Sequence, residues 1–413
     1  MITFIHTADI HFGVENYGKL DQKTGIHSRL LDFEKALNLC IDYALEKQVD
    51  FFLFAGDAYK TANPSPTQQK LLMRCFLRLH TAGIPMVIVV GNHDNPLSFG
   101  KANSLEIFGD IPLDGFHVMA KPELLKLQTK NGPVQIVGIP WPTRNTVSLN
   151  KKHLSESFDQ VTRYIAESVS SIITHYAQEC DPTIPTVLTG HLTVASGVFS
   201  GSEKRAIYGS DPTLFTSQLA IEPFDYVALG HLHRYQDLNP HGYPAVVYSG
   251  SIERVDFGER KEPKGFCIVH LEKGKTVHEF RELPTRPFIQ VDVTLGENTE
   301  QHTEQLLAAL RLHAIDKAVV KIVYHVPAGV KDCVDITAIE RACAHAQYLV
   351  GILPIHEITT RQKRRGMTVE TDLATLLESY FEERTDSATK KNALVQKALE
   401  LYADADCCQE SEE

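Results

Sequence analysis

The sequence predicts an α/β fold: a layered β-sandwich flanked by helices, followed by a small α/β unit and C-terminal helices. Short apolar stretches and amphipathic helical segments alternate through the first hundred residues, as they do in layered α/β cores. Polar clusters of Asp, Asn and His stand where the apolar stretches end. The chain has 413 residues, which exceeds one ordinary domain and suggests two.

Five short apolar stretches are suited to strands that are buried on both faces. Each of them ends at a polar cluster, so loops that carry polar side chains follow strand after strand. In chain order the predicted strands are Ile2–Ile5, Phe51–Phe54, Met86–Val90, Thr186–Leu188 and Tyr226–Leu229.

Helices and a hairpin are predicted between these strands. The spacing of apolar residues predicts helices over Ser28–Lys47, Ser65–Ala82 and His153–Tyr176. Leu124–Gln128 and Val134–Gly138, separated by a polar turn, predict a hairpin.

A second sheet and a smaller unit are predicted in the C-terminal half. Alternating segments between Ala245 and Glu282 indicate a second sheet that closes the sandwich. A boundary falls near Leu283–Pro287. Beyond it, strands and helices alternate: Phe288–Leu295, Thr299–His313, Val319–Val326, Asp335–Ala346 and Tyr348–Ile352.

Two amphipathic patterns, over Thr368–Phe381 and Ala388–Tyr402, predict C-terminal helices. Little of their own chain is left to cover them, which predicts contact with another protein; packing back onto the large domain is the alternative. We therefore divide the chain into a large domain (1–284), a small α/β unit (285–360), a basic linker with a helical region (361–402) and an acidic tail (403–413).

The five polar clusters indicate a metal site. Their oxygen and imidazole donors suit borderline-hard divalent cations, and the absence of Cys from all five speaks against a structural zinc site. Manganese is the first expectation, with magnesium, iron or zinc as alternatives. One cluster alone is a weak signal, because a lone Asp or His at a strand end is more often a cap. The clusters are Asp9-Ile10-His11, Gly56-Asp57, Gly91-Asn92-His93-Asp94, Gly190-His191 and Gly230-His231-Leu232-His233.

This order of clusters resembles the calcineurin-like metallophosphoesterase superfamily, whose pattern stands here complete. The resemblance implies a metallophosphoesterase β-sandwich with a two-metal site that hydrolyses phosphoesters. It assigns Asp9, His11, Asp57 and His233 to one metal, and Asp57, Asn92, His191 and His231 to the other, with Asp57 as the bridge.

His93 and Asp94 are the catalytic residues that the resemblance implies. In the family, the histidine at the position of His93 lies beside the phosphate and acts as an acid for the leaving oxygen or stabilises the transition state. Asp94 would orient its ring. The alternative is that His93 is an ordinary loop histidine.

Further segments narrow the resemblance to the SbcD-type nuclease subunits of the SbcCD DNA-repair complex. The match is strong over residues 1–285, and beyond them only the arrangement of the segments matches. The resemblance implies that residues 285–360 form the capping domain. One departure is Lys60, where many relatives carry an acidic residue. The matching segments are Phe4–Gly13, Gly56–Tyr59, Tyr248–Glu259 and Lys264–Phe266.

The resemblance also implies a function and partners. It implies exonuclease and endonuclease cleavage of DNA in double-strand-break repair, recombination and replication. The implied partners are DNA and an SbcC-like SMC-family ATPase that the C-terminal helices bind. A homodimer within a heterotetramer would be the assembly.

The net charge of −11 at pH 7 is the main contrary observation, since binding of the phosphate backbone normally needs a basic surface. We therefore expect weak intrinsic DNA affinity, supplemented by a partner or by dimerisation. The local basic clusters are Lys151-Lys152, Lys204-Arg205, Arg254 with Arg260-Lys261 and Lys264, and Arg361–Arg365.

Other sequence features bound the protein class. The eight cysteines are scattered without Cys-x-x-Cys spacings, which favours reduced thiols. No window approaches the roughly 20 apolar residues of a membrane span, and no signal peptide is recognisable. We expect a cytoplasmic protein without a membrane partner. The chain has no phosphate-binding Gly-x-x-x-x-Gly-Lys-Ser/Thr loop, so any ATP dependence must come from another chain.

Two alternative functions remain open at this point. A metallophosphatase acting on a small phosphoester or a phosphoprotein would use the same metal site. A non-catalytic scaffold predicts eroded ligands, whereas every expected ligand is in place here.

Overall fold

The computed structural model of the protein describes residues 1–96, 101–110, 113–143, 157–201, 211–357, 377 and 391–409. The strands, numbered in chain order, are β1 (Ile2–Thr7), β2 (Phe51–Phe54), β3 (Met86–Val89), β4 (Phe116–Met119), β5 (Glu123–Thr129), β6 (Gly132–Ile139), β7 (Thr186–His191), β8 (Thr193–Val194), β9 (Thr213–Leu214), β10 (Tyr226–Gly230), β11 (Gln236–Asp237), β12 (Ala245–Tyr248), β13 (Gly265–Leu271), β14 (Val277–Glu282), β15 (Phe288–Thr294), β16 (Val319–Val326) and β17 (Tyr348–His356).

The helices are α1 (Ser28–Lys47), α2 (Pro66–Thr81), α3 (Glu106–Asp110), α4 (Phe158–Glu179), α5 (Thr216–Leu219), α6 (His302–Arg311), α7 (Ile336–Ala342) and α8 (Lys391–Gln409), with 3-10 turns at Phe257–Glu259 and Thr299–Gln301.

Two six-stranded sheets form the large domain. The first has the order β14-β13-β1-β2-β3-β4, in which β1 to β4 run parallel. The second has the order β11-β12-β10-β7-β6-β5, in which β12, β10, β7 and β6 run parallel. Because parallel strands end at the same edge, the loops that follow β1, β2 and β3 share one edge of the first sheet, and those that follow β7 and β10 share one edge of the second.

The two sheets face each other between two layers of helices. Alternate residues of β2 illustrate the arrangement: Phe52 and Phe54 pack with α1 and α2, whereas Phe51 and Leu53 lie in the core between the sheets. On the far side, α4 packs against the outer face of the second sheet. This confirms the predicted layered α/β sandwich, whose core strands are buried on both faces.

The sequence explains where the long helices begin. Ser65 and Ser157 each precede a helix and carry Gln three residues later. Each serine Oγ accepts a hydrogen bond from the backbone N–H of that glutamine, and the glutamine Oε1 accepts one from the serine N–H, which forms a capping box. Helix α1 has the predicted bounds, Ser28–Lys47. The helix that we predict from His153 is described from Phe158, since residues 153–156 lie outside the described residues.

One prediction about the sheets is wrong in part. Strand β12 does lie in the second sheet, but β13 and β14 extend the first, because β13 pairs antiparallel with β1 and places Ile268 opposite Ile5. The alternation of apolar and polar residues shows which face of a strand is buried. It does not show which strand becomes the neighbour.

The residues after the predicted boundary form a three-stranded sheet, β15-β16-β17, with α6 and α7. Strand β16 has the predicted bounds. Arg286 joins this region to α1, since its guanidinium donates to the carboxylate of Asp32, which also pairs with the buried Arg29 at 3.0 Å. The ion pair between Arg286 and Asp32 therefore connects this region to the large domain.

By its contacts the chain forms two compact units. One comprises Met1–His325 and Asp332–Ile355, and contains both large sheets. The other comprises Val326–Lys331 and His356–Glu413, and contains α8. Helix α8 covers most of the helix that we predict over Ala388–Tyr402, whereas Thr368–Phe381 lies outside the described residues except for Leu377. None of the described helices is long and apolar enough to cross a membrane.

Candidate metal centre

All seven predicted metal ligands lie at the carboxyl ends of parallel strands. Those of the first sheet follow β1, β2 and β3, and those of the second end β7 or follow β10. The ligands are Asp9, His11, Asp57, Asn92, His191, His231 and His233.

Four of these residues have left-handed backbone, which non-glycine residues rarely adopt. The φ angles are 54° for Asp9, 51° for His11, 60° for Asp57 and 105° for His231. Such conformations cost about 1–3 kcal/mol each and persist where the surrounding structure holds them. Two backbone hydrogen bonds stabilise these conformations: Asp9 N–H donates to Gly56 O (2.9 Å), and His11 N–H donates to Asp57 O (3.0 Å). Their concentration here is typical of a functional site.

Glycines beside the ligands allow the loops to approach one another. A Cβ on Gly91 would lie 2.1 Å from Asp57 Oδ1, and one on Gly56 would lie 2.4 Å from His191 Nδ1. A Cβ on Gly230 would lie 2.1 Å from the Ala55 carbonyl oxygen. The glycines in the sequence pattern are therefore required by the close approach of these loops.

The first set of donors consists of Asp9, His11 and His233, all buried. One donor atom from each lies within 4.8 Å of the others. The Nε2 atoms of His11 and His233 are 2.9 Å apart, although they come from opposite sheets. Both carboxylate oxygens of Asp9 accept a hydrogen bond from His231 N–H at 3.1 Å, which ties the first cluster to the last.

The second set consists of Asn92, His191 and His231. The side-chain oxygen of Asn92 lies 3.0 Å from His191 Nε2 and 3.2 Å from His231 Nδ1. Asp57 stands between the two sets, because its Oδ2 is 3.3 Å from His191 Nε2 and 3.7 Å from His11 Nε2. This is the position that a bridging carboxylate needs.

The charges of the site depend strongly on one another. Burial alone would raise the pKa of Asp57, but the surrounding histidines, His191 first, outweigh burial and hold that pKa well below its usual range. Burial likewise opposes a charge on His191, yet Asp57 raises the pKa of His191 to about 9. Burial raises the pKa of Asp9 to about 7, and burial lowers the pKa of His11. A bound divalent cation would neutralise these carboxylates and be coordinated by the imidazoles.

The histidine rings are anchored as metal ligands usually are, by a second partner on the other ring nitrogen. His191 Nδ1 donates to the Ala55 carbonyl at 2.8 Å, so Nε2, which faces Asp57, is the nitrogen left to bind a cation. His233 Nδ1 pairs with Glu259 Oε1 at 2.9 Å, and its Nε2 faces His11. This donor set of carboxylates, imidazoles and an amide oxygen fits divalent cations.

His93 differs from the other histidines because its side chain is exposed. Its Nδ1 lies 2.8 Å from the Lys60 carbonyl oxygen, so Nδ1 carries the proton and Nε2 is left for a further partner. Its backbone N–H donates to Asp57 Oδ1 at 2.9 Å. A donor atom of His93 also lies within 4.8 Å of donors from His11 and Asp57, which places the ring beside the candidate metal ligands.

The predicted role of Asp94 requires a correction, because Asp94 does not orient the His93 ring. Its buried carboxylate accepts backbone N–H groups instead, from Asp57 (2.8 Å), Tyr59 (3.1 Å) and Gly91 (3.1 Å). The partner of His93 is the Lys60 carbonyl. Asp94 thus joins the loops after β2 and β3, which carry Asp57 and His93.

Several residues near the site were not predicted from the sequence. Glu259 contacts His233, and Asp211 Oδ2 lies 3.3 Å from His231 Nε2. The ring of Trp141 lies 4.8 Å from that of His231 and 6.0 Å from that of His191, measured between centroids. Glu259 stands in one of the segments that carry the resemblance, Tyr248–Glu259. No short spacing in the sequence indicates the other two.

One predicted basic cluster is mostly internal. Lys264 is buried, and Arg254 donates to Thr285 Oγ1 and to the carbonyls of Arg286 and Glu262. Neither side chain is free to contact DNA, so the cluster is reduced to Arg260 and Lys261. Lys151-Lys152, Lys204-Arg205 and Arg361–Arg365 lie outside the described residues.

Comparison with known proteins gives one family and several similar chains. The family model described as calcineurin-like phosphoesterase matches residues 2–235. The SbcD subunit of the nuclease SbcCD from Staphylococcus saprophyticus is 28% identical over 307 residues, which are 73% of this chain and 74% of that protein.

Solved structures are similar at a lower level. A dimetal phosphatase from Danio rerio is 11% identical, with a TM-score of 0.40 over 68% of this chain and 96% of its own. The TT1561 protein of Thermus thermophilus is also 11% identical, with a TM-score of 0.37 over 68% of this chain and 98% of its own.

Proposed function

The chain belongs to the calcineurin-like phosphoesterase family, and we propose that it is a DNA nuclease of the SbcD type, which hydrolyses phosphodiester bonds at the candidate metal centre. Family membership and the donor clusters make it a metal-dependent hydrolase. The observation that carries the proposal is that two donor sets built from both sheets meet at Asp57, in a chain that is similar to a named nuclease over most of its length.

The seven donors would hold two divalent ions. Asp9, His11, His233 and Asp57 would hold one, and Asp57, Asn92, His191 and His231 the other. Manganese is the first expectation for both, with magnesium, iron or zinc as alternatives. When bound, the pair supplies Lewis acidity at the phosphoryl group and a water of lowered pKa.

His93 would act on the substrate. Its exposed ring, held through Nδ1 by the Lys60 carbonyl, offers Nε2 to a phosphodiester at the centre. In the imidazolium form of His93, both ring nitrogens carry a proton. As the bond between phosphorus and the leaving oxygen breaks, the Nε2 proton can pass to that oxygen, which leaves the neutral ring with its proton on Nδ1. Asp94 would contribute indirectly, because it holds the backbone of the two loops that present Asp57 and His93.

DNA repair and recombination are the proposed context. The name of the Staphylococcus saprophyticus protein describes a subunit of the nuclease SbcCD, and we extend that description to this chain: an SbcC-like SMC-family ATPase as partner, and a homodimer within a heterotetramer. The net charge of −11 fits such an arrangement, since a chain with weak DNA affinity of its own needs a partner or a second copy to retain its substrate.

A comparison of substrates tests this proposal. The purified chain with Mn²⁺ should cleave end-labelled duplex or hairpin DNA, and EDTA should abolish the cleavage. It should act poorly on p-nitrophenyl phosphate, a monoester. Rapid hydrolysis of the monoester without DNA cleavage, with or without the co-purified ATPase, would make the chain a phosphatase and overturn the proposal.

A further inference from the structure

We propose that Glu259, held by Lys264, is a positioning residue for His233 and thereby sets the affinity of one of the two metal positions. The inference rests on the proposed function, because it concerns the first donor set, Asp9, His11 and His233. Glu259 is fully buried, and its Oε1 lies 2.9 Å from His233 Nδ1. The ring of His233 therefore lies between this carboxylate and the ring of His11.

The contact decides which nitrogen of His233 can bind a cation. A carboxylate only accepts hydrogen bonds, so Nδ1 must carry the proton. The lone pair is then on Nε2, which faces His11 Nε2 at 2.9 Å, inside the donor set. A carboxylate behind a ligating histidine also makes the ring more basic, which strengthens its bond to a metal.

Lys264 compensates the negative charge of the buried Glu259 carboxylate. Its Nζ lies 2.8 Å from Glu259 Oε2, and neither side chain is exposed. The same Nζ donates to the backbone carbonyl of His233 at 2.9 Å. An unpaired charge at this depth would be strongly destabilising. The lysine therefore compensates the carboxylate and also fixes the backbone of the ligand.

The segment before Glu259 fixes the second oxygen. Val255 N–H donates to Glu259 Oε2 at 3.0 Å, and Ser251 Oγ lies 3.4 Å from the same atom. Both residues belong to the Tyr248–Glu259 segment that the sequence singles out. This segment therefore holds the Glu259 carboxylate against the candidate ligand His233.

The effect should be confined to one metal position. In the second set, His191 Nδ1 is anchored by the neutral Ala55 carbonyl at 2.8 Å, so a different group holds that ring. Loss of the Glu259 carboxylate should therefore lower the metal affinity of the position that includes His233. The affinity of the position that includes His191 should stay almost unchanged. A general loss of folding would weaken both.

The single tryptophan of the chain makes the two positions distinguishable. Trp141 lies beside His231 and His191, so its fluorescence reports on the second position. Calorimetric titration of the metal-free protein with Mn²⁺ counts both positions. Both measurements are independent of catalytic activity.

The test compares Glu259→Gln with Glu262→Gln, in which the altered carboxylate contacts Lys264 (3.3 Å) rather than a histidine. We expect two Mn²⁺ sites in the wild type and in Glu262→Gln. In Glu259→Gln, one site should weaken by about 10–100-fold while the midpoint of Trp141 quenching stays the same. Unchanged affinity at both sites, or equal loss at both, would overturn the inference.

A double variant covers the case in which Glu259→Gln does not fold. Glu259→Gln with Lys264→Met removes both buried charges, which proteins often tolerate. It should show the same selective loss, and wild-type affinity at both sites in this variant would refute the role of Glu259. Failure of the wild type to bind two ions would instead refute the proposed function.

Discussion

The histidines of the candidate metal centre differ in burial, and the proposed function uses this difference to separate metal ligands from a group that acts on the substrate. His191, His231 and His233 are buried, and their rings lie at hydrogen-bond distance from other donors of the site. His93 is exposed and is anchored through Nδ1 to a carbonyl. The sequence places all four in glycine-containing clusters and cannot separate them by spacing alone.

Replacement of His93 by alanine should therefore leave metal binding intact and remove most cleavage. A positioned proton donor contributes about 10²–10⁴-fold in rate, and DNA cleavage in Mn²⁺ should fall by that factor. Lys60→Ala is the matched control, because His93 contacts the backbone carbonyl of Lys60 and that atom remains. If elemental analysis showed that His93→Ala had lost Mn²⁺, His93 would have to be reassigned as a ligand.

At the scale of elements, amphipathic patterns specify helices well and strand neighbours poorly. The bounds of α1 and β16 agree with the sequence, because apolar spacing and flanking polar residues determine them locally. The pairing of β13 with β1 joins residues more than 260 positions apart, such as Ile5 and Ile268. No local pattern encodes that choice, so the predicted second sheet is wrong in part.

The same limit applies to the site. The seven donors could be predicted because each follows a strand in a recognisable cluster. The role of Asp94 could not, since the N–H groups that its carboxylate accepts include two on the loop after β2, 35 and 37 residues away. Glu259 reaches His233 over 26 residues, through a buried pair with Lys264 that only the folded chain brings together.

The loop after β3 offers a test of how closely the elements must approach. Gly91→Ala introduces a Cβ that would lie 2.1 Å from Asp57 Oδ1. Displacing that carboxylate should cost about 1–3 kcal/mol of stability and weaken Mn²⁺ binding at both positions, measured by calorimetry. Gly109→Ala is the control, because its Cβ would meet only Val118 at 3.6 Å. Normal Mn²⁺ affinity in Gly91→Ala would contradict the crowded geometry around Asp57.

At the scale of the whole molecule, we assign different functions to the two compact units: metal-dependent cleavage to one and binding of a partner protein to the other. The unit that contains both large sheets carries every predicted ligand. The other unit contains α8, on which Val395 is buried whereas Leu394 and Leu401 are exposed. In the proposed function, these exposed leucines would contribute to the surface that binds the partner ATPase.

Truncation after Gly366 should separate these functions. We expect the truncated chain to retain most Mn²⁺-dependent nuclease activity, because all seven ligands and His93 precede the cut. Co-purification with an SbcC-like ATPase should be lost. A truncated chain that still formed the complex at full affinity would exclude the C-terminal helices as the binding region.

The central claim is that Asp57 joins two metal positions in a site that cleaves DNA. Its most direct test is Mn²⁺-dependent cleavage of end-labelled duplex and hairpin DNA by the wild type, Asp57→Asn and the surface control Asp42→Asn. We predict cleavage by the wild type and the control, and activity no higher than with EDTA for Asp57→Asn, because loss of the shared carboxylate weakens both metal positions. Near-normal cleavage by Asp57→Asn with full metal occupancy would contradict the claim.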